Sequence, residues 1–172
     1  MELANGILDA QPVDMTSSTE IAELYETHYA AVYRTAIRIT GNPTDAEDAV
    51  HTVFLRILNQ EGRWSFGPVP EAYFRRAAAN AAIDLLRRRM ANRTIQIDDA
   101  SPFAAGENTA LLKEQLRRSL TALERSDAVL FLLRYVEGLS NGELAELFGL
   151  EKNNVAVRLH RIRQTLQAEM KR

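Results

Sequence analysis

The sequence predicts an all-α protein made of two small helical domains joined by a flexible linker, the C-terminal one a helix-turn-helix. Three observations carry that expectation. Apolar residues recur at spacings of three and four along most of the 172 residues, the period of an amphipathic helix. Ser or Thr stands three residues ahead of Glu at Ser17/Glu20, Thr44/Glu47 and Ser140/Glu143, the capping-box spacing in which two side chains satisfy the free N–H groups of a first helical turn. Between 94 and 110 both signals lapse in a stretch, TIQIDDASPFAAGENTA, that carries Pro, Gly, Ser and three acids. The expected divisions are a disordered tail over 1–16, a helical domain over 17–93, an acidic linker over 94–110 and a second domain over 111–172.

The first helix follows from Ile21, Leu24, Tyr25, His28, Val32, Ala36 and Ile39 on one stripe, with an end at Gly41. His28 lies on that stripe and reads as a hydrogen-bonded core residue rather than a ligand. Asn42-Pro43 turns the chain into a second helix that points Val50, Val53, Phe54, Ile57 and Leu58 inward. Asp45, Glu47 and Asp48 crowd its first turn. There they complement the positive helix end, or equally form an acidic docking surface. EGRWSFGPVP (61–70) interrupts the pattern, and its Trp64 and Phe66 are either a plug over the core or a stacking platform for unpaired bases.

The third helix, about 71–92, has a narrow inward stripe of Phe74, Ala78, Ala81 and Leu85. Tyr73, Arg76, Asn80, Asp84 and Arg87 follow at helical spacing on the other side, and Asp84 is one turn from Arg87 and Arg88. Six arginines and one acid over 75–93 suit a phosphate-facing surface better than a solvated face of mixed sign. Leu112, Leu116, Leu120 and Leu123 then mark one helix, and Val129, Leu130, Leu132, Leu133 and Val136 another that ends at Gly138.

Ser140 and Glu143 open a short helix that ends at Gly149, and Val155, Leu159, Ile162 and Leu166 give the last helix its inner stripe. Asn153, Val157, His160, Arg161 and Gln164 face the other way, with Asn154 and Arg158 on a flank. Two helices joined by a tight glycine turn, the second with a polar and basic outer face, have the organisation of a DNA-binding helix-turn-helix. Residues 152–172 carry six Lys or Arg against one acid, an excess that an inert hairpin does not need.

A net charge of −2 conceals this pattern. Net charge runs −6 over 1–33, +4 over 34–93, −3 over 94–112 and +3 over 113–172, two basic blocks with an acidic strap between them. There is no cysteine, which excludes disulfides and thiolate chemistry, and three scattered histidines make no metal-ligand spacing. No run is long enough to span a bilayer, and the N-terminus lacks the features of a signal peptide. No cofactor, metal or catalytic residue is expected.

The pieces DAEDAVHTVFLRIL (45–58), RWSF (63–66), AYFRRAAANAAIDLLRRR (72–89), LTALERSDAVLFLLRYVEGLSNGELAELFGL (120–150) and VAVRLHRIRQTL (155–166) resemble an extracytoplasmic-function sigma factor of the sigma-70 family. The resemblance covers about 20–93 and 110–170. It implies a cytoplasmic protein, not an enzyme, that binds core RNA polymerase through Asp45, Glu47, Asp48, His51 and Phe54. It implies that Arg63, Trp64, Phe66, Tyr73, Arg76, Asn80, Asp84, Arg87 and Arg88 capture the melted minus-ten promoter element. The second domain would read the minus-thirty-five element with Lys152, Asn153, Asn154, Val157, Arg158 and Arg161, and an anti-sigma factor would sequester the whole. Here His51 stands where the family usually has glutamine, Tyr73 where it has tryptophan and Glu124 where it has proline. Asn154, Ala156 and Val157 replace a threonine, a basic residue and a serine. A free-standing helix-turn-helix regulator, binding a palindromic duplex without polymerase, is the alternative.

Overall fold

In a computed structural model, which describes residues 15–59, 70–93 and 107–171, every described element is a helix. They are α1 (Met15–Thr40), α2 (Pro43–Leu58), α3 (Pro70–Arg93), α4 (Glu107–Ala122), α5 (Arg125–Tyr135), α6 (Asn141–Phe148) and α7 (Lys152–Glu169). Arg63, Trp64 and Phe66, and most of the expected linker, lie outside the described residues. No helix among the described residues is long and apolar enough to cross a membrane.

The start of α2 differs from its expectation. The cap is Asn42, whose side chain accepts from the Asp45 N–H at 3.1 Å, and not Thr44. Pro43 opens the helix, where its fixed φ fits and its missing N–H costs nothing, so the cap falls one residue before it. Gly41 makes the α1–α2 corner at φ 67°, a conformation that side chains disfavour. Helix α1 begins at Met15, two residues ahead of the expected Ser17 cap, and α4 begins at Glu107, inside the expected linker.

Helices α1, α2 and α3 enclose Val32, Ala36, Val50, Val53, Phe54, Ile57, Phe74, Ala78 and Ala81. His28 stacks on Phe74 at 4.0 Å between ring centroids, and Tyr25 meets Phe54 at 4.7 Å. Burial lowers the His28 imidazole below its ordinary pKa, against a smaller opposing effect of Glu71. Leu58, expected inward, is 45% exposed because Val50, Val53, Phe54 and Ile57 already fill that side of the helix.

The second unit gathers Leu120, Leu123, Val129, Leu130, Leu133, Leu144, Val155, Leu159, Ile162 and Leu166. Leu112 was expected on its stripe and is exposed. At α6 both halves of the predicted capping box form. The Glu143 N–H donates to Ser140 Oγ at 3.2 Å, and the Ser140 N–H donates to the Glu143 carboxylate at 2.8 Å. Gly149 closes the helix at φ 64°, with the Leu150 N–H on the Ala145 carbonyl at 2.8 Å.

The two units pack on each other, and α3 is their shared wall. Phe74, Ala78 and Ala81 face the first core, with Leu85 half-buried beside them. Ala79, Ala82, Ile83 and Leu86 belong to the core of the second unit. This second buried stripe was not anticipated, because two of its four members are alanines and arginines flank it in sequence.

Candidate nucleic-acid interfaces

The last helix is divided cleanly. Val155, Leu159, Ile162 and Leu166 are each at most 4% exposed, so packing consumes one stripe and leaves the opposite one to solvent. Lys152, Asn153, Asn154 and Arg161 are exposed, as are His160, Arg163 and Gln164, and Val157 is 51% exposed. An exposed valine amid amides and cations has no packing role and is chemically suited to a base methyl group. Glu151 caps α7 only through its backbone, so the donors of its first turn face solvent beside Lys152.

Arg158, expected to contact DNA, is engaged within the chain. Its Nε donates to Asp127 at 2.5 Å, a terminal nitrogen lies 3.4 Å from Glu124, and the same nitrogen bonds Ser126. The guanidinium therefore bolts α7 to the N-terminus of α5. Glu124 takes part where the family has proline, and the Ser126 side chain is the first cause holding its carboxyl below the usual range.

Of the predicted α3 residues, Arg76, Asp84 and Arg87 engage the second unit. Arg76 donates to the Leu147 carbonyl at 2.5 Å, and its guanidinium carbon sits 4.2 Å from the centre of the Phe148 ring. Burial depresses its pKa, with Tyr73 opposing the shift. Arg87 donates to the Leu123 carbonyl at 2.6 Å. Asp84 pairs with Arg125 at 2.6 Å and Arg56 at 3.6 Å, rather than with the Arg87 side chain one turn on. The Asn80 amide donates to the Arg76 carbonyl at 3.0 Å, and Arg88 is exposed. What stays open is a cleft of about 280 Å³ where Tyr73, Arg76 and Asn80 meet Arg56 and Arg125. An aromatic ring, an amide and three cations in one cleft can receive a flat, hydrogen-bonding group next to an anion.

Helix α2 presents a third surface. Glu47, Asp48 and His51 are exposed on it, whereas Asp45 is 6% exposed and ion-paired with Arg89 at 2.9 Å. Phe54, expected at this surface, is 5% exposed and belongs to the core. Its neighbour Leu55 takes its place at 57% exposure, with Leu58 one turn on. Sequence reasoning missed Leu55 because an apolar residue off the inward stripe carries no signal of its own in the sequence. It also missed Glu137, Arg117 and Arg125, whose partners are more than 40 residues away in the chain.

Comparison with known proteins finds relatives over both units. The family model for sigma-70 region 2 matches residues 24–92, and that for sigma-70 region 4 matches residues 113–166. The chain is 31% identical over 159 residues to the RNA polymerase sigma-E factor of Streptomyces avermitilis, covering 88% of this chain and 85% of that one. It is 29% identical over 154 residues to the ECF RNA polymerase sigma factor SigE of Mycolicibacterium smegmatis, covering 84% of this chain but 59% of that longer one. Among solved structures, CnrH in complex with the cytosolic domain of CnrY superposes at TM-score 0.55 with 22% identity, over 90% of this chain and 89% of that one. RpoE in complex with the anti-sigma factor NepR from Bartonella quintana superposes at 0.52 with 18% identity, over 88% and 97%.

Proposed function

Because the chain belongs to the sigma-70 family, in its extracytoplasmic-function branch, we propose that it joins core RNA polymerase, directs it to promoters and helps to open the duplex. The observation that carries this reading is the outer stripe of α7, where Lys152, Asn153, Asn154, Val157 and Arg161 stand free of packing. Asn153 or Asn154 is suited to the N6 and N7 edge of adenine, Val157 to a thymine methyl, and Arg161 to phosphate or guanine. Arg158 acts by holding the helix in place. Glu47, Asp48, His51 and Leu55 form the surface offered to the polymerase, an acidic rim beside an apolar centre.

The α3 face and the 60–69 segment take the melted strand. Extracting a base costs a few kcal/mol, and stacking on an aromatic ring returns about 1–3 kcal/mol per base, so a few captured bases offset the opening of the duplex. The chain works in the cytoplasm and catalyses no reaction of its own. Two structural neighbours were solved with partners bound, one of them named an anti-sigma factor, and a regulator of that kind is expected here.

The test is transcription by purified core polymerase with this chain on a mixed promoter pool. Defined start sites should appear only with the chain present. Exchange of Asn154 or Val157 should change the bases selected in the upstream element. Unchanged selection overturns the assignment of those two residues. Binding to a palindromic duplex without polymerase, and no initiation with it, overturns the sigma reading in favour of a free-standing regulator.

A further inference from the structure

The cleft beside α3 gathers positive charge from three helices. Arg56 comes from α2, Arg76 from α3 and Arg125 from α5, and all three line it. Asp84 draws two of them together, with Arg125 at 2.6 Å and Arg56 at 3.6 Å from the same carboxylate oxygen. Arg76 meets the Leu147 carbonyl and the Phe148 ring, neither of which carries a charge. Three guanidinium groups against one carboxylate leave the group at a net charge of +2. The Arg125 Nε is also buried with no acceptor among the described residues. A buried donor left unmade is costly, so this seat favours an anion that supplies the missing acceptor.

The rest of the lining suits a flat ring. Tyr73 is held edge-on against the buried Phe74, with centroids 5.7 Å apart at 86°, so the core fixes its orientation. The Asn80 amide uses one N–H on the Arg76 carbonyl and keeps, among the described residues, its oxygen and second N–H, an acceptor and a donor that a base edge can match. Val53, Ile57 and Ala77 make the apolar side. The cleft holds about 280 Å³, near the lower end of the roughly 300–1,000 Å³ of small-molecule sites, a volume that suits one mononucleotide. Charge then separates a free nucleotide from a nucleic-acid strand. A terminal phosphate monoester carries about −1.5 to −2 at neutral pH and answers the +2 of the cleft, whereas each phosphate within a strand carries a single charge.

We propose that this cleft is a binding site for a free nucleoside 5′-monophosphate, with the base against Tyr73 and Asn80 and the phosphate among Arg56, Arg76 and Arg125. Guanidinium forks on three helices match the oxygens of a terminal phosphate. Arg56 and Arg125 stand outside the set assigned to the melted strand, while Tyr73, Arg76 and Asn80 are common to both ligands. Nucleotide and strand therefore exclude each other, a consequence that rests on the function proposed above.

Calorimetric titration of the full chain with AMP, GMP, CMP and UMP, with inorganic phosphate and with the parent nucleosides tests the site. At least one nucleotide should bind as a single site, about tenfold more tightly than inorganic phosphate or its own nucleoside. Arg125→Ala and Arg56→Ala should each weaken it about tenfold, the effect of one charge-assisted hydrogen bond, with helix content unchanged. Arg56 is 54% exposed on α2 and carries the test if loss of Arg125 disturbs the fold. Tyr73→Ala should weaken the nucleotide and not inorganic phosphate, and Arg118→Ala, on α4 away from the cleft, should change neither. No saturable binding of any nucleotide, equal binding of inorganic phosphate, or an affinity unmoved in both Arg56→Ala and Arg125→Ala overturns the site. These titrations need neither DNA nor polymerase. A bound nucleotide that fails to displace a labelled single-stranded minus-ten oligonucleotide therefore refutes the strand assignment of Tyr73 and Asn80 and leaves the nucleotide site standing.

Discussion

Helices α3 and α7 both carry arginines at helical spacing, and both are expected to meet nucleic acid, yet the structure treats them oppositely. On α7 four apolar residues satisfy one partner surface and the outer stripe faces solvent, with Arg158 on the flank drawn to α5. On α3 two stripes are buried, so Arg75, Arg76 and Arg87 lie at the edges of an interface and reach carbonyls and an acid of the second unit. An arginine on the outer stripe of a helix with one buried face, such as Arg161, is free for a ligand. An arginine between two buried faces is already engaged, and a ligand must displace its partner.

Substitutions can break this contrast at either end. The largest effect is expected at Ile83, fully buried on the second stripe of α3: Ile83→Ala should cost about 2–5 kcal/mol, read as a shift in denaturant midpoint at constant slope. A loss under about 0.5 kcal/mol would mean that the second stripe does not pack, and α3 would then be no different from α7. Next, Ser140→Ala should cost about 1 kcal/mol by removing one half of the capping box, with α7 still folded.

At Arg158 the contrast is sharpened within α7 itself. Arg158→Ala and Asp127→Ala should each lower stability by up to about 1 kcal/mol and weaken upstream-element binding to a similar degree. A DNA contact made by Arg158 would instead show as a loss for Arg158→Ala alone, with a shallower salt dependence. Val157→Ala, by comparison, should leave stability within about 0.5 kcal/mol while discrimination at one base pair falls, as competition between duplexes would show.

The smallest effect is a pH dependence at His28. Its folded-state pKa lies below the ordinary value, so the unfolded chain takes up the proton first as pH falls. Stability is complete above the ordinary histidine range and declines as pH drops from there to the lowered folded value. His28→Phe, which keeps the ring on Phe74, should flatten that part of the profile in urea titrations.

Much of the fold was legible because its signals are local. The capping box at Ser140 and Glu143, the positive-φ glycines at 41, 138 and 149, and the spacing of Val155, Leu159, Ile162 and Leu166 each depend on neighbours within a turn or two. The same locality accounts for the misses. Asn42 and Thr44 are both plausible caps, and only the place of Pro43 in the first turn decides between them. Phe54 faces inward as its spacing predicts, whereas Leu58, expected on the same stripe, is exposed, because how far that stripe runs toward the helix end depends on where α3 packs.

By itself the sequence determined seven helical segments, the two units they form, and the outer stripe of α7. Helical periodicity and caps act over a few residues, so composition and spacing suffice to place them. Only the tertiary structure decided that α3 is buried twice, that Glu137 seats between Thr35 and Arg75, and that Arg158 is a strut. Each of these joins groups tens of residues apart, through a contact whose worth arises from burial and charge pairing that exist only after the helices have met.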